Sequence, residues 1–107
     1  MIATTPKPPY YAVIFTATPT GVEEGYATTA GRMLELAQQQ PGFLGIESAG
    51  GEYEITVSYW QSPEDIANWK NNYEHLIAQS KGRTDWYKNY KTRICRVERD
   101  YGFEKQD

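Results

Sequence analysis

Residues 10–18 read YYAVIFTAT, an apolar, aromatic and β-branched run of the kind that forms a strand, and Pro19-Thr20-Gly21 breaks it. Alternation sends Tyr11, Val13, Phe15 and Ala17 to one face and Tyr10, Ala12 and Ile14 to the other. Both faces are apolar, so this strand needs cover on both sides. Whatever fold the rest of the chain adopts has to supply two layers of cover, or leave one to a partner.

Downstream, Tyr26, Ala30, Met33, Leu34 and Ala37 recur at helical spacing and predict a first helix over residues 25–40, stopped by Pro41-Gly42. Residues 43–49 (FLGIESA) and 53–60 (YEITVSYW) read as two strands joined at Gly50-Gly51, a hairpin signal. In the second of these, Glu54, Thr56 and Ser58 alternate with Tyr53, Ile55, Val57 and Tyr59. Ser62-Pro63-Glu64-Asp65 is a helix start, with Ser at the N-cap, Pro in the first helical position and acids in the first turn. Ile66, Trp69, Tyr73, Leu76 and Ile77 form the stripe of a second helix, which ends near Lys81-Gly82. Residues 83–89 suggest a short helical turn, and 92–103 a last strand in which Cys95 is a small buried hydrophobe.

The order β-α-β-β-α-β predicts a ferredoxin-like α+β fold, an antiparallel sheet with both helices on one face. Residues 1–9 form a Pro-rich N-terminal arm, and 10–107 a single domain. The face without helices would still carry the apolar side of the first strand, so a partner is expected there. Two sheets packed face to face give a homodimeric α+β barrel.

The chain has 107 residues and a net charge of −3, which argues against a nucleic-acid binder. No run of residues is long and apolar enough to span a membrane, and the opening residues show no signal peptide, so a cytoplasmic protein is expected. One cysteine and one histidine exclude a disulfide framework, a His-based triad and a multi-histidine metal site. Phosphate-loop and dinucleotide fingerprints are absent. Basic residues gather late: Lys81, Arg83, Lys88, Lys91, Arg93, Arg96 and Arg99. Along the last strand, Arg96-Val97-Glu98-Arg99-Asp100 suits ion pairs between subunits. The nine Tyr, three Trp and three Phe bring apolar area with polar tips, which suits pockets as well as cores.

The segments YYAVIFTA, QQPGFLGIES, ITVSYWQSPEDIANWK, the run from His75 to Tyr87, and RVERDYGF together resemble the antibiotic biosynthesis monooxygenase (ABM) domain family, which includes small heme-degrading monooxygenases. The resemblance spans residues 10–103 and implies a dimeric ferredoxin-like barrel. Cofactor-independent members, which oxidise phenol- and quinol-like compounds, use a helix tryptophan with an Asn four residues before it and a Tyr six after. Placing Trp69 in that role puts Asp65 and His75 in the other two, so spacing survives and two identities change. Histidine can stand for tyrosine as a proton carrier. Heme-degrading members use an Asn on the first strand, the same tryptophan and an iron-ligating His ten residues after it. Here no Asn precedes Asn68, and that tenth position is Gln79.

The resemblance thus implies a cofactor-independent monooxygenase acting on a small aromatic or polycyclic compound. His75 would accept the proton, Trp69 would orient the substrate, Asp65 or Asn68 would position it, and Tyr59 or Arg83 would anchor an oxygen. The alternatives are heme binding and degradation, with His75 on the iron, and a non-catalytic dimeric binding module.

Overall fold

In a computed structural model the chain is described over residues 2–80 and 85–106, with side chains described outside residues 75–80. The first strand, β1 (Tyr10–Pro19), lies in the interior of a four-stranded sheet. The other elements are α1 (Tyr26–Gln38), β2 (Phe43–Ala49), β3 (Glu54–Trp60), α2 (Pro63–Ser80) and β4 (Tyr87–Val97). The strand order is β2-β3-β1-β4 and every neighbouring pair is antiparallel. This is the ferredoxin-like α+β arrangement that the sequence predicts.

The two faces of the sheet are set by register. Tyr11 pairs with Trp60 and Ala12 with Tyr59, so successive residues go to opposite sides. Trp60 meets Trp69 of α2, and Phe15 meets Tyr73 of α2, which fixes the helix-covered face. That face takes Tyr11, Val13, Phe15 and Ala17 of β1 together with Glu54, Thr56, Ser58 and Trp60 of β3. The alternation of β3 therefore places its polar members under the helices. Its apolar members, Ile55, Val57 and Tyr59, lie on the face without helices, where Ile55 is 42% exposed.

Local chemistry explains the element ends. Gly25 caps α1 at φ 77, a left-handed conformation open to glycine at little cost. At the start of α2, Ser62 Oγ accepts the Asp65 N–H at 3.2 Å and donates to Asp65 Oδ2 at 2.8 Å, a reciprocal cap. Gly42, at φ 82, turns the chain against this cap, and its carbonyl accepts the Gln61 N–H at 2.8 Å.

The last strand differs from the sequence expectation. It runs over residues 87–97 rather than 92–103; of the expected helical turn at 83–89, residues 85–86 are helical, 87–89 belong to the strand, and 83–84 lie outside the described residues. The reason is pairing: β4 bonds only to β1, and the ladder ends where Tyr10 meets Val97. Glu98, Arg99 and Asp100 therefore lie beyond the strand. Asp100 instead accepts the Tyr10 hydroxyl at 2.5 Å. Cys95 is exposed rather than buried, because it sits opposite Ala12 on the face without helices, in an edge strand.

The N-terminal arm crosses that same face, where the Ala3 N–H donates to Glu47 at 2.8 Å and Thr5 bonds the Tyr10 hydroxyl at 3.1 Å. Among the described residues no helix is long and apolar enough to cross a membrane.

Candidate active site

The helices sit over one half of the sheet. Helix α1 packs against β2 and α2 against β3. On the β1–β4 half, the helix side of the sheet consequently stays half open among the described residues. Ile94 is 58% exposed there and Tyr90 38%, while Val13 and Phe15 are half-buried. These residues outline a candidate cleft, with Val13, Phe15, Tyr90 and Ile94 on its floor and Trp69 and Tyr73 of α2 at its wall.

Its lining is a continuous set of ring contacts. Phe43 packs edge-on to Trp60 at 5.4 Å, Trp60 stacks on Trp69 at 5.8 Å, and Trp69 meets Tyr73 at 6.2 Å. Tyr73 meets Phe15 at 6.3 Å, and Phe15 then touches Tyr87 and Tyr90 at 5.5 and 5.3 Å. Trp60 is fully buried, with its indole N–H on Ser58 Oγ at 2.9 Å, so it anchors the series from below. Offset and edge-on arrangements of this kind are the favoured geometries for aromatic pairs.

A register shift builds the far end of the cleft. Thr18 pairs with Asn89 but Pro19 with Tyr87, so Lys88 is the extra residue of a bulge. Without it, Tyr87 and Tyr90 would point to opposite faces, being three residues apart. With it, both rings meet Phe15 and lie 5.9 Å from each other. Beside them, the Tyr26 hydroxyl donates to Glu54 Oε1 under the helices, and the Tyr26 and Tyr87 rings meet edge-on at 6.3 Å. Burial, then the Glu54 carboxylate, pushes the Tyr26 hydroxyl up to about 12. Burial and the charges of Glu54 and Tyr26 push Tyr87 up further still. Both hydroxyls are therefore fixed as neutral groups at ordinary pH.

The structure brings only part of the expected site together. Trp69 lies in the cleft wall, half-buried. Asp65, one turn earlier, has its carboxylate turned to the Ser62 cap and against Gly42, where a Cβ would come within 2.0 Å of Oδ2. Asn68 is exposed, and its carbonyl accepts the Asn72 side chain at 3.1 Å. Tyr59 lies on the face of the sheet opposite the cleft. With Trp60 facing the helices, alternation sends Tyr59 to the other face, where it donates to Glu47 at 2.6 Å. His75 belongs to α2, but its side chain lies outside the described residues, and so does Arg83. The heme alternative rests on that same histidine.

Sequence reading did not single out Glu54, Tyr26 or Tyr87 as site residues. Glu54 carried one signal, a lone carboxylate within an otherwise uncharged strand. Tyr87 carried none, since its orientation depends on the bulge.

No protein-family model matches the chain. It is 47% identical over 107 residues to the uncharacterized protein YqjZ of Bacillus subtilis (strain 168), covering 97% of this chain and 93% of that one. Solved structures share the fold at low identity. PA3566 from Pseudomonas aeruginosa superposes with a TM-score of 0.67 at 17% identity, over 90% of this chain and 99% of its own. SnoaB, a cofactor-independent oxygenase from Streptomyces nogalater, gives 0.65 at 8% identity, over 92% and 100%. A candidate antibiotic biosynthesis monooxygenase from Nitrosomonas europaea gives 0.66 at 14% identity, over 88% and 94%. The chain thus belongs to the same family as YqjZ, and it is built on the ABM fold.

Proposed function

We propose that the protein is a monooxygenase that works without a bound cofactor on a small, electron-rich aromatic compound of the phenol or quinol type. The carrying observation is the half-open aromatic cleft between α2 and the β1–β4 half of the sheet. Its flat rings suit a flat substrate, and stacking on them removes water from one side of it. SnoaB, described as a cofactor-independent oxygenase, shares the fold and supports the reading.

In this reading Trp69 and Tyr73 hold the plane of the substrate against Phe15. A base takes the substrate hydroxyl proton, and His75 is the group assigned that role. The phenolate then passes one electron to dioxygen, leaving a substrate radical and superoxide, which combine and take back the proton to give a hydroperoxide; its O–O bond breaks as the hydrogen on the same carbon leaves with the outer oxygen as water, and the inner oxygen stays as a carbonyl. Partial exclusion of water strengthens each hydrogen bond the substrate makes.

A second copy of the chain is the proposed cover for the face without helices, where Ile14, Ile55, Val57 and Tyr59 lie. The cytoplasm is the proposed compartment. The function is tested by oxygen uptake with 1,4-naphthohydroquinone, measured above the rate in buffer. Uptake that Trp69→Ala and His75→Ala each lower at least about tenfold supports the reading. A rate equal to buffer for hydroquinones, naphthols and anthrones alike would defeat it.

A further inference from the structure

The register of β1 sets out the helix-covered face in rows. Tyr11 stands between Trp60 of β3 and Arg96 of β4, Val13 between Ser58 and Ile94, Phe15 between Thr56 and Thr92, and Ala17 between Glu54 and Tyr90. On the β1–β4 half, Arg96 therefore stands at the end of an uncharged floor. Lys91 and Arg93 pair with Thr16 and Ile14, and so belong to the face without helices. The wall runs along the same rows: Trp69 stacks on Trp60, in the row of Arg96, and Tyr73 meets Phe15, two rows further on. Residues directly opposite in an antiparallel pair have their Cβ atoms about 5 Å apart, so Tyr11 and the stem of Arg96 lie side by side. Tyr11 is half-buried and Arg96 is exposed. Among the described residues neither side chain has a hydrogen bond or an ion pair; the ion pair found there joins Lys70 to Glu74.

We propose that the cleft takes aromatic compounds bearing a carboxylate, and that Arg96 binds that carboxylate. The inference rests on the cleft being the substrate site, and it adds the charge of the compound taken there. Successive rows on one face of a sheet lie about 7 Å apart. A bicyclic ring lying on Ile94 and Phe15 thus brings an acid group on its edge to the row of Arg96. The guanidinium stays charged at any ordinary pH, and its planar fork of N–H donors matches the two oxygens of a carboxylate. No carboxylate of the described residues already holds it. The chain as a whole carries a net charge of −3, so its overall field disfavours an anion, and the attraction has to come from a local group. Arg93 supplies an internal comparison, with the same charge on the same strand but on the opposite face.

The test is calorimetric titration of the full chain at neutral pH with 2-naphthoate and with 2-naphthamide, planar ligands of near-equal size of which only the first is charged. The wild type should bind 2-naphthoate at least about tenfold more tightly, the scale of one hydrogen bond to a charged group. Arg96→Gln removes the charge from an exposed side chain, and it should bring the two ligands within about twofold of each other. Arg93→Gln removes the same charge from the other face and should leave the preference as it is in the wild type. Equal binding of the two ligands by the wild type would overturn the carboxylate site while leaving the cleft intact. A preference that survives in Arg96→Gln would overturn it too. So would a preference lost equally in Arg93→Gln, which would assign it to the general charge of β4. Failure of both ligands to bind would overturn the cleft reading along with it.

Discussion

Trp69 on α2 stacks on Trp60 of β3, with ring centroids 5.8 Å apart and planes 24° from parallel. A half-buried ring thus rests on one that is fully buried. The lower ring holds the helix to the sheet, and the upper one offers its edge to the cleft.

That division of labour separates two substitutions. Trp60→Ala empties a fully packed site and should cost about 3–5 kcal/mol in urea unfolding. Trp69→Ala removes less buried area and should cost about 2 kcal/mol or less. Ligand binding should respond in the opposite order, with Trp69→Phe retaining more affinity than Trp69→Ala. Equal stability losses for the two alanine variants would contradict the layered arrangement.

Gly42 and Asp65 form a second coupled pair. Gly42 has φ 82, and a Cβ there would lie 2.0 Å from Asp65 Oδ2. Asp65→Ala loses part of the cap of α2, about 1 kcal/mol. Gly42→Ala should cost more, because it adds both the clash and a left-handed backbone, the latter alone roughly 1–2 kcal/mol. The double variant should be less destabilised than the sum of the two, since removing the carboxylate removes the two shortest contacts and leaves only the Asp65 Cβ at 2.8 Å. Strict additivity in chemical denaturation would contradict this contact.

Two tyrosines give the protein an alkaline limit. Burial first, and then the carboxylates of Glu54 and Glu47, push Tyr26 and Tyr59 up to about 12 in the folded chain. The unfolded chain ionises them near 10.0. A raised folded value stabilises the fold fully below pH 10 and loses that contribution as pH rises toward 12. Tyrosinate absorbance should therefore lag behind that of free tyrosine for part of the nine residues, and far-UV dichroism should fall as the late group appears. Tyr26→Phe should reduce the late component. Ionisation of all nine near pH 10 with secondary structure intact would contradict the buried pairings.

The face without helices makes its own prediction. Ile55 is 42% exposed there, on the strand next to Ile14 and opposite Thr16. If a second copy covers this face, Ile55→Arg should convert a dimer to a monomer in sedimentation equilibrium, with the helix content retained. A wild-type chain that is monomeric at all concentrations would contradict the barrel.

How much of this was legible beforehand can be argued from single elements. The double apolarity of β1 showed that both faces of the sheet need cover, and the Ser62-Pro63-Glu64-Asp65 signal placed the start of α2 because capping is a local event. The bounds of β4 were not legible, because a strand ends where its partner ends, and that partner is β1, nearly ninety residues away in sequence at its far end, where Tyr10 meets Val97. The cleft was half legible. Trp69 followed from helical spacing and family resemblance. Glu54 was visible only as one member of an alternation, and which face of that alternation met the helices depended on Trp60 docking under α2. Tyr87 depended on one bulged residue. Tyr59 fell on the opposite face for the same reason, since the choice of face moves every residue of a strand together.

The central claim is that a flat aromatic ligand lies against Trp69 in the cleft. The three indole N–H groups allow a direct test by ¹H–¹⁵N spectroscopy during titration with 2-naphthol. Those of Trp60 and Trp86 are held by Ser58 and by the Glu24 carbonyl at 2.9 and 3.0 Å. The account predicts that the Trp69 signal moves most, accompanied by backbone signals of Tyr73, Phe15 and Ile94. A Trp69 signal that stays in place, or changes confined to Ile55, Val57 and Tyr59 on the opposite face, would contradict it.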